Sequence, residues 1–188
     1  GRYSIIGLKP DLIWRCRDGE AEINRNALID RTQFEPSGMP PLASLRAVLA
    51  ESAIDFEEGL PPMSAGIFGY LGYDMVRQME RLSPAKPDPI GVPEAVMIRP
   101  TLMAVFDSVK DELTIVTPVR PQQGVSARAA YESAQARLDA LVHVLESPLD
   151  HVAPQADPRM VAKEPVSNTS ENRFLDMVAK AKDYIRAG

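Results

Sequence analysis

The chain is expected to fold as an α+β protein, with a largely antiparallel β-sheet and helices packed on one face. Three observations predict this. Short β-rich runs are joined by tight turns, as at Asp18-Gly19, where two residues that tolerate positive φ link residues 12–17 to 20–24. Long helical stripes are confined to residues 42–53, 126–146 and 170–187. The resulting order, β-β-β-α-β-α-β-β-α-linker-α, has too little strand–helix alternation for a doubly wound parallel sheet.

Each element has a local reason. Residues 3–8 (Tyr-Ser-Ile-Ile-Gly-Leu) are rich in strand formers, and Lys9-Pro10-Asp11 is expected to interrupt them before a second strand over 12–17. In the third strand, 20–24, Ala21 and Ile23 alternate with polar residues, as in a sheet with one wet face. Residues 30–41 hold three prolines and read as a loop. Helix 42–53 starts behind Pro40-Pro41 and carries Leu42, Leu45, Val48 and Leu49 at helical spacing. Residues 63–74 bring Gly66, Gly69 and Gly72 at intervals of three among aromatics. They predict a buried strand to about Tyr70, with glycines where another backbone passes closely, then a turn and a short helix over 73–81.

Four prolines make 83–93 a restrained surface loop. The apolar run 95–106 and the alternating run 112–117 form a hairpin. Tyr131, Ala134, Leu138, Leu141, Val142 and Leu145 make one stripe of helix 126–146. Residues 147–168 carry four prolines and no periodicity, the pattern of a linker. The last helix presents Phe174, Met177, Val178, Ala181 and Ile185, with Thr169 or Ser170 as its cap. Phe174, Met177 and Ile185 are expected to form an exposed apolar patch.

Composition narrows the function classes. The 188 residues carry a net charge of −5 with 45% hydrophobic and 25% charged content, which excludes collagen-like and disordered chains. A pI near 5.1 and the lack of a dense Lys/Arg stripe argue against nucleic acid as a partner. No apolar run reaches the roughly 18–20 residues of a membrane-spanning helix, and no leader peptide is apparent, so a reducing cytoplasm is the expected setting. The chain opens at Gly1 without a methionine and closes at Gly188 directly after a helical pattern, so it reads as a piece of a longer protein.

No catalytic constellation emerges from the residues. One cysteine, Cys16, excludes an internal disulfide and a Cys-based zinc site, and suits a small buried hydrophobe. His143 lies in a helical stripe and His151 in the Pro-rich stretch, and both read as structural or solvated. Asp55, Glu57 and Glu58 read as a solvated loop, and Asp88, Asp107 and Asp111 as turn residues. Gly66-x-x-Gly69-x-x-Gly72 lacks the Gly-x-Gly opening of a dinucleotide site and the Gly-Lys-Ser/Thr ending of a phosphate loop.

Three stretches carry a resemblance. Gly1-Arg2-Tyr3-Ser4-Ile5-Ile6-Gly7 resembles a Gly-Arg-Tyr-Ser-Phe-Ile-Gly segment early in the large subunit (component I) of anthranilate synthases. Gly69-Tyr70-Leu71-Gly72-Tyr73-Asp74-Met75-Val76-Arg77 resembles that family's Gly-Tyr-x-Gly-Tyr-Asp-x-Val-Arg segment. Glu164-Pro165-Val166-Ser167-Asn168-Thr169-Ser170, with the helix up to Gly188, is similar to the entry into its chorismate-utilising domain. The three occur in the family's order and cover nearly the whole chain.

The resemblance implies half of that family's sandwich, divided as an N-terminal domain over 1–146, a Pro-rich linker over 147–166, and the first helix of the catalytic domain over 167–188. It implies a whole protein that converts chorismate to anthranilate and pyruvate with Mg²⁺. Ammonia would come from a glutamine amidotransferase subunit, and tryptophan would act as feedback inhibitor. Catalytic and metal-binding residues of the family lie past Gly188, so none is assigned here and no cofactor is expected on this piece. Arg2, Tyr3 and Ser4 are expected to form one wall of the tryptophan site, whose Glu-Ser pair lies upstream of them in the family. Gly66, Gly69, Tyr70, Gly72 and Tyr73 are expected at the interface with the catalytic half. Two other readings stay open. Aminodeoxychorismate synthase component I shares the layout, although its first motif usually reads more like Ser-Arg-Phe-Asp. A stand-alone small-molecule-binding module is the other.

Overall fold

In the computed structural model, which describes residues 1–55, 58–83, 88, 90–148 and 166–188, two long strands form the spine of the fold. They are β1 (Tyr3–Arg17) and β5 (Ala95–Asp107), antiparallel along nearly their whole lengths. β2 (Glu20–Asn24) pairs with β1 and β3 (Glu35–Pro36) with β2. β4 (Phe68–Leu71) takes the first part of the other edge of β5, and β6 (Glu112–Val116) the last part. Every pairing is antiparallel, so the six-stranded sheet and its helices form the expected α+β fold. Two units separate at Ser147/Pro148.

The expected break at Lys9-Pro10-Asp11 is a bulge inside one strand. Pro10 lies opposite Pro100, so neither supplies an amide donor there, and the register shifts between Pro10 and Leu12. Lys9 takes up the distortion with a φ of 49°, and the Thr101 hydroxyl donates to its carbonyl at 2.7 Å. Two prolines stop a ladder hydrogen bond without stopping the strand. The Asp18-Gly19 turn is as expected, with φ of 53° and 76°.

Beyond the bulge β1 alternates cleanly. Leu12, Trp14 and Cys16 are fully buried, and they meet Ala21, Ile23, Ala95 and helix α1 (Pro41–Ser52) through Leu45 and Val48. Pro41 starts α1 because a first-turn N–H needs no helical partner. The Trp14 indole donates to Ser44 Oγ at 3.0 Å, satisfying the one polar atom of the largest buried side chain. Burying a side chain such as Leu12 or Val48 contributes roughly 1.5–3 kcal/mol, so this cluster is the main stabilising element of the first unit.

Several other elements differ from the sequence reading. A two-residue strand, β3, lies inside the expected 30–41 loop, edge-paired where Pro36 needs no donor. β4 is short and mostly exposed, not buried. The expected helix over 73–81 is a 3₁₀ helix, Tyr73–Gln78, that buries only Met75. Helix α2 (Ala127–Glu146), capped by Ser126 Oγ, buries Ala134 and leaves Tyr131, Val142 and Leu145 exposed, so the inward stripe is narrower than the apolar one.

In the second unit, helix α3 (Glu171–Ala187) is capped by Ser170 and buries no residue; Phe174, Met177 and Ile185 are exposed, as expected. His151, Glu57, Pro84, Pro87, Pro89 and residues 149–165 of the expected linker lie outside the described residues.

Candidate functional site

The residues expected to bind ligand or face a partner occupy opposite ends of the sheet. Arg2, Tyr3 and Ser4 sit at the start of β1, beside the end of β5. Tyr3 opposes Asp107 and Ser4 opposes Phe106. The Arg2 guanidinium grips Asp107 with two nitrogens, Nε to Oδ1 at 2.9 Å and Nη2 to Oδ2 at 2.7 Å, and lies 5.0 Å from the Tyr3 ring centre. This bond holds the Asp107 carboxyl well below the usual carboxylate range, helped by amide donors from Val109 and Lys110, and it raises the Arg2 guanidinium. The backbone joins in: the Ser108 amide and hydroxyl both donate to the Arg2 carbonyl at 2.9 Å. Ser4 is exposed and its hydroxyl has no hydrogen-bond partner among the described residues. Asp107, read from the sequence as a turn residue, is also the clamp on Arg2, and a separation of 105 positions hid the pair.

The glycine-rich segment lies toward the other end; Gly69 shares the register of Trp14, roughly 36 Å along β1 from Tyr3 at about 3.3 Å per residue. Gly69 faces Met97 across the β4–β5 ladder, and a Cβ there would sit 1.8 Å from the Val96 carbonyl oxygen. Gly72 donates its amide to the Glu94 carbonyl at 2.7 Å, and a Cβ there would sit 2.8 Å from the same oxygen. Both glycines permit the close backbone approach expected of them. Gly66 takes a φ of 134° and does not share in that approach.

Tyr70, Gly72 and Tyr73 line a cleft of about 550 Å³, closed on other sides by Arg17, Arg77 and Glu94. The Tyr70 hydroxyl donates to the Pro93 carbonyl at 2.8 Å, while Tyr73 projects outward, 84% exposed. Arg77 is held by Asp74 at 2.6 Å. One carboxylate oxygen of Glu94, Oε2, is buried without a partner among the described residues. Glu94 escaped the sequence reading because nothing local marks it.

Nucleophilic or acid–base chemistry finds no support in these groups. Burial pushes the Cys16 thiol up to about 11, assisted by the Glu94 charge, so it stays protonated and closed to reagents. His143 is exposed on α2. Among the described residues no three of His, Cys, Asp and Glu converge as a metal-holding group, so the Mg²⁺ that the resemblance implies finds no ligand set among them. No helix among the described residues is long and apolar enough to cross a membrane.

An antiparallel α+β domain with two clefts is the class of protein that this geometry defines. A model of the chorismate binding enzyme family matches residues 9–188, and the chain belongs to that family. The chain is 50% identical over 192 residues to anthranilate synthase component 1 of Cereibacter sphaeroides, an alignment that covers all of this chain and 37% of that protein. It is 32% identical over 187 residues to anthranilate synthase component 1 of Thermus thermophilus, covering all of this chain and 36% of that protein. The crystal structure of anthranilate synthase component I from Streptococcus pneumoniae superposes with a TM-score of 0.65 at 19% identity, over all of this chain and 39% of that one, which shows a shared fold. The chain spans little more than a third of the length of these relatives.

Proposed function

We propose that this chain is the N-terminal scaffold and regulatory part of component I of an anthranilate synthase. The observation that carries the reading is the 50% identity to such a protein across the entire chain. In this reading residues 1–146 form the N-terminal domain, 147–166 the linker, and 167–188 the first helix of a chorismate-utilising domain. The whole protein forms anthranilate and pyruvate from chorismate in the cytoplasm, with Mg²⁺ and with ammonia from a glutamine amidotransferase subunit. In this reading the catalytic and metal-binding residues lie past Gly188, so the chain by itself is not catalytic.

Feedback by tryptophan belongs to the same proposal. Arg2, Tyr3 and Ser4 would supply one wall of the effector site, with the Ser4 hydroxyl meeting a polar atom of the amino acid. Support comes from the hydrogen bonds that fix the position of that strand end, from Arg2 to Asp107 and from Ser108 to the Arg2 carbonyl. Gly69, Tyr70, Gly72 and Tyr73, with Gly66 upstream, would face the catalytic half.

The test is anthranilate fluorescence with chorismate, Mg²⁺ and ammonium, run on the full-length protein and on this chain side by side. Signal from the full-length protein only, suppressed by tryptophan, is the expected result. Turnover by this chain alone would overturn the reading. Chorismate consumed without release of pyruvate would assign the aminodeoxychorismate reaction instead. In the full-length protein, Ser4→Ala is expected to raise the tryptophan concentration for half-inhibition several-fold with kcat nearly unchanged. A shift in kcat with unchanged inhibition would remove Ser4 from the effector site.

A further inference from the structure

We infer that a second cleft in the first unit, between α2 and the bulged centre of the sheet, binds a small oxyanion, a carboxylate or phosphate, between Arg120 and Arg137. The inference is independent of the proposed function. The cleft measures about 270 Å³ and is lined by Asp11, Thr101, Arg120, Gln122, Ser133 and Arg137 among others.

The carboxylates nearest this cleft are already paired. Asp11 is taken by Arg99, which reaches it with Nε at 2.7 Å and Nη2 at 3.0 Å. Glu51, the other nearby carboxylate, accepts both terminal nitrogens of Arg25 at 2.8 and 2.9 Å, and Arg99 Nη1 at 3.4 Å. Two acids therefore serve Arg25 and Arg99. Arg120 and Arg137 have no carboxylate among the described residues. Arg120 reaches only the Ser52 carbonyl, at 3.4 Å, and its Nε is buried with no hydrogen-bond partner. Arg137 bonds the hydroxyls of Thr117 and Ser133, at 3.0 and 3.3 Å.

Guanidinium groups in such a place are costly. Burial first, and then the like charge of Arg99, lower the Arg120 pKa against the weaker attraction of Asp11 and Glu51. A buried donor without a partner leaves its lost hydration uncompensated. Planar guanidinium forks match the paired oxygens of carboxylate and phosphate, which gives the site its chemical class. The start of α2 adds to the same field, because Ala129 and Ala130 line the cleft and the helix's first turn holds no acidic residue. The small volume excludes a nucleotide-sized ligand and suits a short dicarboxylate or a phosphate ester.

Titration calorimetry of the chain with inorganic phosphate and with malonate, at low and at 0.5 M chloride, tests the inference. Saturable one-to-one binding of at least one probe is expected, weakened at least tenfold in Arg137→Gln and unchanged in Arg46→Gln, a variant of an exposed arginine on α1. Arg137 is partly exposed, so its variant is expected to keep the native near-UV spectrum; Arg120→Lys serves as the second variant, keeping the charge and losing the fork. Absence of saturable binding would overturn the proposal. So would equal binding by the wild-type chain and Arg137→Gln, or a loss shared by Arg46→Gln, which would mark a diffuse charge effect.

Discussion

At the scale of single residues, three positions carry the clearest predictions. Ser44→Ala removes the acceptor of the Trp14 indole in a fully buried place, so it is expected to cost about 1–3 kcal/mol in urea unfolding. Gly69→Ala is expected to cost more than an ordinary glycine replacement, roughly 2–4 kcal/mol, because the clash is with backbone that belongs to the central ladder. Asp107 supplies a pH dependence. Its carboxyl is depressed in the folded chain, so the stability it contributes is present in full above its unfolded pKa near 4 and is lost as pH falls toward the lower folded value. The gap in unfolding midpoint between the wild-type chain and Asp107→Asn is therefore expected to be constant from pH 7 to 5 and to shrink below pH 4. A gap that widens in acid would contradict the clamp.

At the scale of elements, the helices differ in what holds them. α1 is held by the core through Leu45 and Val48, and Leu45→Ala is expected to cost about 2–4 kcal/mol. α3 has a good cap and no buried residue, and an isolated helix of its 17 residues is marginal in water. Its amides are expected to exchange with deuterium orders of magnitude faster than those of β5. Strong protection of residues 175–185 would mean that the exposed Phe174, Met177 and Ile185 have found a partner in solution. The central strands behave differently. Opposed Pro10 and Pro100 would end a weaker pairing, yet the long ladders on both sides carry the chain across, and the bulge creates the wall from which Asp11 meets Arg99.

For the whole molecule, separate units imply separate unfolding. Trp14, the one tryptophan, reports the first unit alone. Far-ultraviolet ellipticity reports both, so part of the helical signal is expected to melt before the tryptophan emission shifts. Coincident transitions would show a single cooperative structure. The two ends of the sheet also do separate things: one presents a rigid, clamped strand at Arg2–Ser4, the other an open cleft at Tyr70–Tyr73. The two proposed roles, effector binding at the first end and contact with the catalytic half at the second, are therefore expected to be separable by substitution.

The residues in sequence were enough for the α+β class, the Asp18-Gly19 hairpin, the α1 stripe apart from Leu49, which is exposed, the burial of Cys16 and the close approach at Gly69 and Gly72. Each follows from local sterics or from a period of 2 or 3.6, which neighbours along the chain dictate. The resemblance to anthranilate synthases was legible in three motifs. The tertiary structure alone decided that residues 3–17 are one strand, because an interruption by proline is bridged only when a long partner such as β5 lies alongside. It alone joined Arg2 to Asp107, and it gathered Asp11, Arg120 and Arg137 around one cleft. Charges that lie far apart along the chain have no periodicity to reveal them, and only the path of the folded backbone settles which of them find a counter-ion.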